Sequence, residues 1–190
     1  MPTEQIEQLE KILIGCRNND IRSQKDLYKN YYSLALKICL RYANNKMDAV
    51  SIVNEGFYKI FINVNQYDLT RPFTTWLSRI MTNAAIDFYR ASLRFSSSMI
   101  SIEDGFTEET MNEPIHAKLN YEDLLSMVQS LSPAYRTVFN LYAIEGYSHE
   151  EIATMLGISV GASKLNLFKA RAKLSYLIKM SEEPVSIQKG

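Results

Sequence analysis

HEEIATMLGISVGASKLNLFKAR, residues 149–171, decides how the chain is read. Two helices that cross steeply over a tight turn make three demands on a sequence. The first helix needs a small residue where the second packs on it, and Ala153 stands there. The turn needs a residue that tolerates positive φ, and Gly157 supplies it. Both helices need apolar residues to bury against each other, and Ile152, Leu156, Ile158 and Leu167 are in place. Ser148, with Glu151 three residues later, fits a capping box at the start of the first helix. The spacing predicts a helix-turn-helix.

The second helix is predicted from Ser159 to about Met180. From Val160 to Met180 it carries Lys164, Lys169, Arg171, Lys173 and Lys179 and no acid. Such charge suits a helix lying between the two phosphate rows of a major groove. The structural alternative is a basic helix resting on an acidic neighbour. On the DNA reading, base edges are met by the N-terminal part of the helix, which nominates Ser163, Lys164 and Asn166. Asparagine can make a paired contact to adenine, and lysine can donate to guanine. Lys169, Arg171 and Lys173, further along, are expected to touch phosphates.

Upstream, Ser132 and Pro133 read as an N-cap followed by a first-turn proline. They open a helix with Tyr135, Val138, Phe139 and Tyr142 on one side, stopped at Gly146. Residues 121–131 form another helical segment. Before it, residues 95–123 contain three consecutive serines, a glycine, a proline and little periodicity. Residues 99–123 hold seven acids against one base, which reads as an acidic linker.

The first half is helical throughout. Ile6, Leu9 and Leu13 mark a short amphipathic helix over 3–14, and Leu27, Tyr31, Leu34, Ile38 and Tyr42 a longer one over 22–42. A third, from about Asp48, buries Val50, Val53, Phe57, Ile60, Phe61 and Val64. Residues 65–71 read as a loop. Pro72 then opens a fourth helix with Trp76, Ile80, Ala84 and Phe88 on its buried side, ending near Leu93. The predicted fold is all-α: two small helical domains joined by a flexible linker, the second containing the helix-turn-helix. The expected boundaries are 1–94, a linker over 95–120, 121–181, and a tail over 182–190.

Composition narrows the function. Apolar residues make up 46%, and glycine (7) and proline (5) are scarce, as helices prefer. The formal net charge is zero, which alone argues against a nucleic-acid binder, but the charge is unevenly distributed. Cys16, Cys39, His116 and His149 form no clustered set of about four ligands such as zinc requires. The cysteines read as small apolar residues in a reducing compartment. No metal or cofactor is expected. No Gly-rich phosphate loop or nucleophile–base pair points to an enzyme. The N-terminus lacks the basic start and apolar run of a signal peptide. No stretch approaches the roughly 20 apolar residues of a bilayer span. A cytoplasmic protein without membrane insertion is expected.

LSPAYRTVFNLYAIEGYSHEEIATMLGIS (131–159), followed by KARAKL (169–174), resembles region four of the extracytoplasmic-function (ECF) sigma factors of bacterial RNA polymerase. LIGCRNND (13–20), QKDLYKNYYSLALKICLRY (24–42), DAVSIVNEGFYKIF (48–61) and FTTWLSRIMTNAAIDFYR (73–90) resemble region two of the same family, in the right order. The resemblance implies a transcription initiation factor that binds core polymerase and directs it to promoters. It implies that the helix over 48–64 docks on the β′ coiled coil, with Asn54 and Glu55 as contacts. It implies that 65–71 and 76–90 engage the minus-ten element, and that the second domain reads the minus-thirty-five element and sits on the β flap. The acidic linker would pass toward the polymerase's RNA channel. An anti-sigma factor is allowed as a further partner.

Three positions depart from the family's pattern: Ser51 replaces an acid, Ala162 a threonine, and Leu165 a commonly polar residue. Leu165 could touch a thymine methyl or simply pack. Within the first domain, Tyr67 is the better candidate to stack on an unpaired base, and Trp76 reads as core. Asn83, Asp87 and Arg90 share one polar face, with Asp87 expected to orient Arg90. Arg71, Arg79, Arg90 and Arg94 are expected at the DNA backbone. The competing function is a helix-turn-helix regulator that acts without binding core polymerase.

Overall fold

The computed structural model describes residues 2–97 and 120–182. Every regular element among them is helical. The chain divides into two compact units, Met1–Phe88 and Tyr89–Gly190. Most of the expected linker and all but the first residue of the expected tail lie outside the described residues.

The first unit begins with α1 (Pro2–Arg17) and α2 (Ile21–Leu40), which pack on each other across a tight corner. Asn19 turns the chain with φ 58°, a conformation that asparagine tolerates better than most residues. Asp20 then caps α2 by accepting from the Ser23 backbone N–H at 2.9 Å. Gly15 makes the corner close: a Cβ there would lie 2.0 Å from Ser23 Oγ. Asn45 caps α3 (Lys46–Asn63), accepting from the Asp48 N–H at 2.9 Å. A single 3-10 turn, Val64–Gln66, ends it. α4 (Phe73–Ser97) crosses α3 where Gly56 faces Met81, and a Cβ on Gly56 would come within 2.3 Å of the Met81 sulfur. The core holds Leu13, Leu27, Ile38, Ile52, Val53, Phe57, Ile60, Leu77 and Met81.

The α4 stripe differs from expectation. Phe73, Leu77, Met81, Ala84 and Ala85 are buried, whereas Trp76, Ile80 and Phe88 are only half-buried. A strict four-residue row drifts around a helix of 3.6 residues per turn, so the row through 76, 80, 84 and 88 crosses the buried face instead of following it. The helix also runs four residues past Leu93. Arg94, Phe95, Ser96 and Ser97 include no glycine or proline to stop it. Ile6 is 59% exposed despite its place in the α1 pattern.

Beyond the end of α4, the second unit comprises α5 (Tyr121–Gln129), α6 (Pro133–Phe139), α7 (His149–Leu156) and α8 (Val160–Glu182). Asn120 and Asp123 form a capping box at the start of α5. Ser132 precedes α6 as expected, but its side chain makes no capping hydrogen bond, and Pro133 starts the helix. α6 runs into a π-helical turn, Asn140–Ile144, closed by Glu145 N–H donating to the Asn140 carbonyl at 3.0 Å. Arg136 is 1% exposed, and its guanidinium donates to the Gln129 carbonyl at 3.0 Å, tying α6 to the end of α5. Both α6 and α7 pack on α8.

Candidate functional site

The helix-turn-helix forms where the sequence placed it. Ser148 and Glu151 close a reciprocal capping box: the Glu151 N–H donates to Ser148 Oγ at 3.2 Å, and the Ser148 N–H donates to Glu151 Oε2 at 2.8 Å. Gly157 ends α7 in the left-handed region with φ 69°. Ser159 begins α8 by accepting from the Ala162 N–H at 3.0 Å, so the helix start is capped without a hydroxyl at 162. Ile152, Ala153, Leu156, Leu167 and Ala170 are buried in the junction of the two helices.

Ser163 was expected to meet base edges, and this is corrected. It is 0% exposed, with its hydroxyl 2.9 Å from His149 Nδ1. It faces α7 because it lies four and seven residues before the buried Leu167 and Ala170, on the same side of α8. Its role is to lock the two helices together. Lys164 is exposed and Asn166 half-buried.

Lys169 and Arg171 are exposed and lean on aromatic faces. Lys169 Nζ is 5.6 Å from the Tyr135 ring centre, and the Arg171 guanidinium carbon 5.5 Å from that of Tyr142. Tyr142 in turn stacks on the His149 ring at 4.5 Å. Half-buried Lys173 lies 5.7 Å from the centre of the Tyr176 ring. Among the described residues no cation of α8 forms a salt bridge. Glu150 feels the Lys164 charge: its carboxyl is held below its usual range by a backbone hydrogen bond, with smaller help from Ser148 and Lys164. Tyr135 of α6 and Tyr142 of the π-helical turn, which read from sequence only as packing residues, are thus the shelf on which Lys169 and Arg171 rest.

Along the first four helices the candidates separate. Tyr67 is 5% exposed, and its edge meets Phe73 while its ring tilts against Trp76 at 5.1 Å. Its hydroxyl donates to the Arg71 carbonyl, and its own carbonyl accepts from Arg17 at 3.1 Å. The expectation of a free stacking platform at Tyr67 is corrected, because the loop folds its one aromatic inward. Arg71 is exposed beside Asp68 at 3.4 Å. Arg79, Asn83 and Arg94 are exposed and Arg90 half-buried, and helical spacing sets all four along one side of α4. Asp87 reaches Lys59 of α3 at 2.8 Å, a partner that its spacing from Arg90 did not point to.

On α3, Glu55 is exposed and lies 3.6 Å from Lys59. Asn54 is exposed and accepts from the Tyr28 hydroxyl at 3.0 Å. The same side carries Met47, Tyr58 and Ile62, 82%, 60% and 57% exposed, with Ser51 among them. These apolar residues were missed in the sequence. Their signal was that they fall off the buried stripe while remaining large and apolar.

No helix among the described residues is long and apolar enough to cross a membrane. The family description Sigma-70 region 2 matches residues 27–95, and Sigma-70, region 4 matches residues 121–174. The chain is 28% identical over 167 residues to the ECF RNA polymerase sigma factor SigE of Mycolicibacterium smegmatis, spanning 85% of this chain and 64% of that protein. It is 26% identical over 176 residues to the ECF RNA polymerase sigma factor SigW of Bacillus subtilis, spanning 87% of this chain and 94% of that one. Among solved structures it is similar to the sigma factor RpoE of Bartonella quintana, crystallised with the anti-sigma factor NepR. That likeness has a TM-score of 0.49 at 19% identity, over 84% of this chain and 98% of the other. The region-2 helices and the helix-turn-helix of region 4 follow one another in a single chain, and by them the protein belongs to the sigma-70 family, in its extracytoplasmic-function group.

Proposed function

We propose that the chain binds core RNA polymerase and directs it to promoters, acting in the cytoplasm as a binding protein with no catalytic chemistry of its own. The observation that carries this reading is the pairing of a region-2 unit with a helix-turn-helix whose second helix bears only basic charge from Val160 to Ser181. On this reading Lys164 and Asn166 meet base edges of a minus-thirty-five element. On the same reading Lys169, Arg171 and Lys173 meet its phosphates. Arg71, Arg79, Asn83, Arg90 and Arg94 supply the minus-ten surface. The exposed face of α3 supplies the polymerase contact through Asn54 and Glu55, with Met47, Tyr58 and Ile62 adding apolar area. The segment over 95–120 serves as the acidic connection between two domains of 1–94 and 121–181. A cognate anti-sigma factor would cover these same surfaces.

A regulator acting apart from polymerase has no use for a region-2 half, so that alternative is not favoured. The deciding experiment is transcription in vitro with purified core polymerase on a promoter library. Specific transcripts that require the chain are expected. A chain that binds DNA but neither joins core enzyme nor supports initiation would refute the reading.

A further inference from the structure

The large apolar side chains near the start of α8 divide into two sets. Leu167 is buried with Ala170 against neighbouring helices, while Leu165 and Phe168 stand out of the surface, 51% and 70% exposed. Three residues apart, they share one face. It is the face opposite the packed one, with exposed Lys164 before them and exposed Ala172 a turn beyond. The basic heads of Lys169 and Arg171 lie to its sides, drawn over the rings of Tyr135 and Tyr142. Nothing in the packing of the second unit calls for a leucine and a phenylalanine there.

A single exposed leucine is unremarkable on a protein surface. An adjacent Leu–Phe pair in the acid-free leading half of a helix matches an occupant with anionic rims and an apolar floor. The major groove is such a surface, because its walls are phosphate rows and the thymine C5-methyl is its apolar feature. A groove on a protein would engage a longer row, with anchors at i, i+3 or i+4, and i+7, and here Ala172 interrupts the row after one turn.

We infer that Leu165, with Phe168 beside it, reads thymine methyl groups, so that the minus-thirty-five element recognised by this protein contains thymine at the positions these side chains cover. The inference deepens the proposed function and rests on it.

The test uses the full chain assembled with core polymerase. Its preferred minus-thirty-five sequence is selected from a randomised library, and each thymine in it is replaced singly by deoxyuridine, which removes the methyl group and leaves the hydrogen-bonding edge. At least one replacement is expected to weaken binding about fourfold, the worth of one buried CH₂. The same replacement should cost little in Leu165→Ala or Phe168→Ala holoenzyme and its full amount in Lys169→Ala. A selected element without thymine, or uracil tolerated everywhere, overturns the inference and leaves the sigma-factor reading standing. Weakened assembly with core polymerase in Leu165→Ala, at unchanged promoter preference, also overturns it and assigns this face to a protein. Failure to assemble with core or to select any element removes both readings.

Discussion

Cys16 and Cys39 are both buried, and burial pushes their thiols up, to about 11 and about 12. The Asp20 charge adds to the rise at Cys16, and Arg41 opposes it at Cys39. A raised folded-state value means stability that is whole below the ordinary value of 9.0 and is lost as pH climbs toward about 12. The urea midpoint is therefore expected to fall across that alkaline window, more gently in Cys39→Ala once its own lower starting stability is subtracted. Neither thiol should be alkylated by iodoacetamide at neutral pH until the protein is unfolded. At the DNA surface, Asn166→Ala should change which minus-thirty-five base is preferred, at a cost of roughly 1–3 kcal/mol at one position. Lys169→Ala and Arg171→Ala should weaken all sequences alike and shallow the log-affinity against log-salt slope by about one unit each. Binding to single-base promoter variants at several salt concentrations separates these outcomes. If Asn166→Ala acts uniformly and Arg171→Ala changes base preference, the helix enters the groove the other way round. Ser163→Ala should leave base preference alone, because its hydroxyl is spent on His149.

Among the elements, α7 and its turn were the most legible in the sequence, and the reason is local. Ser148, Glu151 and Gly157 act through backbone bonds and backbone conformation within a few residues, so their types announce their roles. Ser148→Ala should cost about 1 kcal/mol, and Gly157→Ala about 1–2 kcal/mol for a side chain in the left-handed region, although open space surrounds the new methyl. Thermal melts of the two variants measure both. What the sequence did not disclose depends on which face of a helix a distant element covers. The row through Trp76 and Phe88 looked buried because both are large and apolar, yet α3 presses on the side that carries Leu77 and Met81. Ser163 looked free because serine is polar, and Arg136 gave no sign that α6 would take it inside. Tyr67 sat in a polar loop, and only the fold shows Phe73 and Trp76 closing over it.

For the molecule as a whole, the all-α, two-domain plan was readable from periodicity, while the partner surfaces had to be sorted by exposure. Glu55→Lys should weaken assembly with core polymerase several-fold without lowering the melting temperature by more than the loss of one exposed pair, worth about 0–1 kcal/mol. Titration of core enzyme with the variant checks this, and a variant that fails to fold would show Glu55 to be structural. Gly15→Ala is the contrasting case: a Cβ 2.6 Å from Ser23 Cβ must force α1 and α2 apart, with an expected loss of about 1–3 kcal/mol and weaker function only in proportion to the unfolded fraction. The tyrosine shelf under α8 carries one more consequence, and it concerns entropy. A lysine or arginine that swings freely gives up about 0.5–1.5 kcal/mol of rotamer freedom when a phosphate fixes it. Lys169 and Arg171 already lie against Tyr135 and Tyr142, so part of that disorder is gone before DNA arrives. On the proposed reading, Tyr135 and Tyr142 would thus set how ready the helix is to bind the promoter.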